Sequence, residues 1–436
     1  MTDLRARFDT LDALHAPDMW REIEVRAQAK ERRVTRTISR LLIGVAALLA
    51  LLVGAAFLVG SGAVKLSSTP PNSAPSTHTA VPSLSPSTAP PSVHPAAWMA
   101  TGNMLEAREG HTATLLADGR VLVAGGYSGS TILTTAEIYD PERRSWTATG
   151  KMLYPHTDHT ATLLPDGKVL IVGGNSTITQ HAELYDPSAG TWRAVANLTR
   201  GLRSISQMAI LLADGSVLVA GYDLPLLFNP TAGTWRDTNS MVERRFAYAA
   251  TILADGTVLA AGGRCCTDDF SLASAEVYDP DQRLWSVAGS MSEPRSDGTA
   301  TLLADGTVLV AGGSAFTKSG LKPLPAAELY DPIEATWTPT SNMEVARGTR
   351  GTFTLLQDGS VLAVGGIGAP AGTELYDPVA GTWIATASML AGRGDHTATR
   401  LADGMVLVVG GWMNVDAAGN GIPMTSAELY DPAAEN

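Results

Sequence analysis

Residues 111–126 read HTATLLADGRVLVAGG, and residues 159–174 read HTATLLPDGKVLIVGG. A third version, TATLLADGTVLVAGG, occupies residues 299–313. In each, a Thr/Ala/Leu segment runs into Asp-Gly, and an apolar run then ends in paired glycines. Asp-Gly between two apolar runs is the strongest short hairpin signal. The stretch therefore predicts two antiparallel strands joined by a two-residue turn.

Aligned on Asp-Gly, the chain holds seven copies, at Asp118, Asp166, Asp214, Asp255, Asp305, Asp358 and Asp403, spaced 41 to 53 residues apart. Each copy predicts four short strands. Strand a resembles HTATLL and strand b resembles VLVAGG; after a variable loop, strand c resembles AEIYD. Pro-x-x-x-x-Trp then turns the chain into strand d. Four antiparallel strands at this period predict an all-β propeller blade, and blades must pack in a ring because one alone cannot bury both faces.

Six copies keep the glycine pair (Gly125-Gly126, Gly173-Gly174, Gly262-Gly263, Gly312-Gly313, Gly365-Gly366, Gly410-Gly411), and six keep a tyrosine on strand c (Tyr139, Tyr185, Tyr278, Tyr330, Tyr376, Tyr430). With the tryptophan seven residues after the tyrosine, this pattern resembles the kelch repeat over residues 98–436. The resemblance implies a seven-bladed β-propeller. The third copy departs, with Gly221-Tyr222 and Phe228-Asn229-Pro230, but keeps Trp235 and its Asp-Gly turn. The seventh ends without a tryptophan. AWMATGNM from Ala97 matches SWTATGKM from Ser145, so Trp98 is expected to begin the missing outer strand and close the ring.

In such a meander the a–b and c–d turns emerge on one face, the b–c loops and the blade-to-blade links on the other. The turns repeat and the b–c loops vary, so binding is expected on the loop face. The repeated glutamates (Glu137, Glu183, Glu276, Glu328, Glu374, Glu428) and the motif Tyr and Trp are read as scaffold.

Non-repeated side chains converge in the sector of blades 7, 1 and 2: Trp412 and Tyr127, each directly after a glycine pair, with Tyr154, His111, His156, His159, His396, Asp158 and Asp395. These are the candidate ligand-binding residues, for a protein or glycan partner. The histidines also admit a plainer reading as repeat residues bonding to their own surroundings. Kelch propellers also resemble copper radical oxidases related to galactose oxidase. That resemblance implies a copper held by two Tyr and two His, with one Tyr cross-linked to a Cys. The only cysteines here, Cys265 and Cys266, lie in the b–c loop of blade 4, and no full ligand set maps onto the chain. A metal-dependent carbohydrate oxidase is thus the alternative reading, while no catalytic residue, metal or other cofactor is expected. The Cys265-Cys266 pair fits a vicinal disulfide, a bridge to another chain, or two thiols.

The chain ahead of the repeats has a different character. Residues 41–64 (LLIGVAALLALLVGAAFLVGSGAV) carry no charge and match the ~20 apolar residues of a membrane-spanning helix. Lys30, Arg32, Arg33, Arg36 and Arg40 precede this segment, so the positive-inside rule predicts a cytoplasmic N-terminus, partly helical over residues 1–40, and an extracytoplasmic propeller at the cell membrane. A cleaved signal peptide fits less well, since its leading segment and apolar core are shorter. Residues 65–97, rich in Pro, Ser and Thr, predict an extended stalk. Residues 66–436 hold 21 Lys/Arg against 36 Asp/Glu, a net −15 that argues against nucleic acid as a partner.

Overall fold

The computed structural model describes residues 97–174, 181–198, 208–221, 225–265, 270–317, 320–415 and 421–433. The expected anchor at 41–64, the segments on either side of it, Tyr222 and Cys266 lie outside the described residues. Among the described residues, no helix is long and apolar enough to cross a membrane.

Seven four-stranded antiparallel sheets follow one another along the chain. Blade 1 is Thr112–Leu115 (a), Val121–Ala124 (b), Ala136–Asp140 (c) and Ser145–Ala148 (d), hydrogen-bonded in that order. Each strand a meets the strands a of neighbouring blades and so lies innermost. Strand b is buried along its whole length in every blade, because a blade lies against each of its faces. This explains why strand b reads as a continuous apolar run rather than an alternating one.

Between blades the contacts are those the repeat predicts. On six c–d pairs Tyr and Trp pack as tilted rings, as in Tyr139–Trp146 with centroids 4.9 Å apart. The Trp146 indole N–H reaches back to the Gly102 carbonyl at 2.7 Å, Trp192 to Gly150 at 2.8 Å, and Trp235 to Ala196 at 2.7 Å. These tryptophans, with Trp98 and Trp337, fasten their blades to the one before, whereas the Trp285 and Trp383 indole nitrogens have no such partner. The third blade is complete: Phe228 takes the tyrosine position, 4.8 Å from Trp235.

The ring closes as expected. Ala97–Ala100 pairs with Ala427–Asp431, placing Trp98 opposite Tyr430, and the Trp98 N–H donates to the Ala387 carbonyl at 2.7 Å. The final blade therefore takes three strands from the end of the repeats and its outer strand from their beginning, which leaves no unpaired outer edge on strand c.

One local expectation is corrected. The a–b connection is not a two-residue turn. Leu116 N–H bonds the Arg120 carbonyl and Gly119 N–H the Leu116 carbonyl, so the loop holds Ala117, Asp118 and Gly119. Only Gly119 has positive φ, at 86°, whereas a two-residue type I′ turn needs two such residues. The Asp118 carboxylate instead caps the turn by accepting the Arg120 N–H at 3.1 Å.

Candidate functional site: the loop-face mouth

The links from strand d to the next strand a carry the chain inward across the loop face, and five of them are fixed by a buried Arg–Glu pair. Arg108 donates through Nη2 to Glu137 Oε1 at 2.8 Å and through Nη1 to the Gly125 and Thr135 carbonyls at 2.8 and 3.1 Å. The same glutamate accepts the N–H groups of Leu105 and Glu106 at 2.7 and 3.1 Å. Arg245–Glu276, Arg295–Glu328, Arg347–Glu374 and Arg393–Glu428 repeat the pairing. In blade 2, His156 replaces the arginine, with Nδ1 at the Gly173 carbonyl and Nε2 3.3 Å from Glu183. The repeated glutamates are scaffold, as their sequence pattern implies. The arginine partners are a repeated signal too, since each stands just ahead of strand a.

Beyond the buried arginine the chain bends sharply. Gly110, Asp158, Ala247, Asp297, Arg350 and Asp395, one in each of six blades, all have positive φ, between 50° and 73°. Their backbones join around the axis: Asp158 N–H bonds the Gly110 carbonyl at 2.8 Å, Gly110 that of Asp395 at 3.4 Å, and Asp395 that of Arg350 at 3.1 Å. Between the adjacent blades 4 and 5, Asp297 N–H bonds the Ala247 carbonyl at 2.6 Å. This necklace of tight bends rims the mouth of the ring, where Asp and Asn-like residues tolerate the left-handed conformation better than most.

Acid predominates at the rim. Arg350 pairs with Asp395 at 2.6 Å. Burial, then repulsion from Asp395, pushes the Glu109 carboxyl up to about 7 despite Arg350. Burial and Asp395 likewise raise Asp158 to about 6. Asp297 and Asp395 are also raised, chiefly by burial. The electrostatic partners of these carboxyls on the rim include only two cations, Arg350 and Arg264, among the described residues. Arg264 lies 3.7 Å above the Phe316 ring and 5.3 Å from that of Phe246.

Of the aromatic candidates, Tyr127 stands half-buried at the base of a short hairpin, held to Glu109 by two backbone hydrogen bonds of 2.7 and 3.0 Å. Burial and the charges of Asp158 and Glu109 raise its phenol, which places it among the mouth carboxyls. Trp412 occupies the equivalent place in blade 7, bridged to Gly394, at the base of the hairpin formed by Trp412–Val415 and Gly421–Pro423. Tyr154 lies apart from the mouth contacts and stacks on His181, centroids 3.7 Å apart.

The histidines do not reach the loop surface. His111, His159 and His396 are wedged between blades, and each Nε2 shares a hydrogen bond with a threonine of the preceding strand a: Thr397 at 3.1 Å, Thr112 at 2.8 Å and Thr352 at 3.0 Å. Burial, then the nearby Arg108, lowers His111 to about 3, and burial with Arg393 does the same to His396. His159 is driven well down by burial and by His156. These imidazoles are neutral packing pieces at ordinary pH. Cys265 is half-buried in the blade 4 loop.

Residues 111–153 match the family model described as the Kelch motif. The chain carries this motif within a seven-bladed β-propeller. It is similar in structure to a fungal alcohol oxidase of the AA5 family solved in complex with copper, with TM-score 0.62 and 17% identity over 77% of this chain and 76% of that one. At that identity the likeness shows the fold alone. No curated protein sequence matches the chain.

A copper site needs side-chain donors that no other bond occupies. Among the described residues, no three His, Cys, Asp or Glu side chains group as metal donors. His111, His159 and His396 turn Nε2 to threonine, and His156 spends both nitrogens on Gly173 and Glu183. Among the described residues, these histidines do not supply the two His of the two-Tyr, two-His set that the family resemblance implies.

Proposed function

We propose that this protein is a membrane-anchored, extracytoplasmic interaction module that takes a protein or glycan ligand on the loop face over blades 7, 1 and 2. The observation that carries the reading is the gathering of Tyr127, Glu109, Asp158 and Asp395 at one side of the mouth, on bends fixed by the buried Arg–Glu joints. A rigid rim bearing side chains that differ from blade to blade is the arrangement of a binding surface. The opposite face repeats one turn seven times. The described chain enters the ring on that turn face, where Ala97 pairs with Asp431. The anchor itself rests on residues 41–64 and their flanking charge.

The test is binding of the full chain to peptide and glycan arrays, with Tyr127→Ala and Asp158→Asn on the loop face and Asp255→Asn on the turn face. Ligands held by the parent and by Asp255→Asn, but lost by the loop-face variants, support the reading. Ligands lost only by the turn-face variant defeat it. A tightly held copper ion in elemental analysis of the same preparation would favour the oxidase alternative. Protease protection of residues 1–40 in intact cells, with digestion of the propeller, tests the topology.

A further inference from the structure

The blade-to-blade links carry a second pattern, outside the mouth. The first residue whose N–H meets the buried glutamate points outward, and in three consecutive blades it is leucine: Leu390, Leu105 and Leu153, exposed by 64, 64 and 57%. Leaving a leucine this open is unfavourable by about 1–2 kcal/mol relative to burying it. The same position is Val242 in blade 4, Ser292 in blade 5 and Glu344 in blade 6. Met413 and Ile422, exposed by 40 and 48% on the blade 7 hairpin, extend the apolar arc.

The inner ends of the same three links are acidic. Four or five residues after each leucine the chain reaches the mouth, at Glu109 after Leu105, Asp158 after Leu153, and Asp395 after Leu390. Blade 4 reaches Ala247 five residues after Val242, blade 5 reaches Asp297 five after Ser292, and blade 6 reaches Arg350 six after Glu344. Leucine outside and carboxylate inside thus coincide in blades 7, 1 and 2. Asp395 has Arg350 as its partner. Among the described residues, Glu109 and Asp158 have the same arginine as their only attractive charge, against two carboxylates facing Glu109 and one facing Asp158.

We infer that this sector docks a peptide segment of another protein that places one lysine or arginine in the mouth, between Glu109, Asp158 and Asp395, and flanking apolar side chains on Leu390, Leu105 and Leu153. The cation supplies the countercharge the mouth lacks, and charge complementarity of this kind fixes register and partner choice. The apolar flanks remove the leucines from water, which supplies the affinity. An acidic partner meets repulsion at the mouth and is selected against. The inference rests on the loop-face reading and narrows it to one ligand class.

The experiment pans a random nonapeptide library against the full chain and titrates the synthetic winners by fluorescence anisotropy. The expected winners carry Lys or Arg with Leu, Ile, Val or Phe within three residues on either side. Their affinity should fall tenfold or more in Leu105→Ser/Leu390→Ser, whose side chains are mostly in water and leave the fold intact, and again in Asp158→Asn/Asp395→Asn. No enrichment, or affinity within twofold of the parent in either variant, overturns the inference. Acidic or glycan ligands that Tyr127→Ala still abolishes would overturn it while preserving the loop-face reading.

Discussion

Gly411, at the end of the repeats, donates its backbone N–H to the carbonyl of Arg108, at their beginning, over 2.9 Å. The same joint recurs as Gly126 to His156 and Gly263 to Arg295, each at 2.8 Å. The second glycine of each of these pairs therefore bonds the next blade, at the residue whose side chain holds that blade's own glutamate. The first glycine leaves room for the contact. A β-carbon on Gly410 would sit 2.6 Å from the Arg108 carbonyl oxygen, with φ at 60°.

Gly410→Ala is accordingly expected to cost about 2 kcal/mol or more, from left-handed strain plus displacement of the blade 1 link. Gly119→Ala is the control. It shares the positive φ but meets open space, so its loss should stay near 1 kcal/mol. Equilibrium denaturation of the two variants gives the comparison, and equal losses would refute the joint.

Arg393→Met should cost about 3–5 kcal/mol, because it leaves Glu428 buried without its cation. The burden falls on one blade junction, so loss of cooperativity in the unfolding transition would accompany the shift. An unchanged midpoint would show that the backbone N–H groups of Leu390 and Ala391 alone satisfy the carboxylate.

Trp98→Ala removes the packing on Tyr430, centroids 5.2 Å apart, and the bond to Ala387 that fastens the final blade. A loss of about 3–5 kcal/mol is expected. Deleting residues 97–100 goes further and exposes the Ala427–Asp431 strand as an open edge. Self-association by light scattering should rise in the deletion and stay low in Trp98→Ala.

The mouth makes stability depend on pH in a definite direction. Glu109 binds its proton more tightly folded, near 7, than unfolded, near 4.5. Its contribution is thus fully present below about 4.5 and is lost as pH rises through about 7. Burial, Asp395 and Asp158 drive the shift, and Arg350 opposes it. Glu109→Gln should flatten the thermal midpoint between these limits. Arg350→Gln should steepen it, since the only attractive charge on Glu109 is then gone. A Glu109→Gln profile that tracks the parent would place the titration elsewhere.

Much of this architecture was legible in the repeat. Asp-Gly, Gly-Gly and the Tyr/Trp pair mark strands and turns because each answers a local demand: a tight reversal, a positive φ, a ring filling the wedge between sheets. Even the ring closure at Trp98 could be read, since its flanking residues copy those around Trp146. The site was less legible. His111, His159 and His396 sit beside mouth residues in sequence, yet alternation along strand a turns their rings between blades, toward threonines of the neighbouring strand. Their neighbours Asp158 and Asp395 turn to the mouth instead, on a bend the sequence does not announce.

The sequence alone determined the number of blades, the strand order within each and which face carries the variable loops, because these follow from local periodicity repeated along one chain. Tertiary structure alone decided which side chains meet. The Arg–Glu joints pair residues 27 to 35 positions apart, and the mouth joins Glu109 to Asp395 across the closure of the ring. No local rule brings those residues together. Curving seven wedges into a closed circle does, by forcing every link inward to one axis, where carboxylates distant in sequence share a half-buried rim.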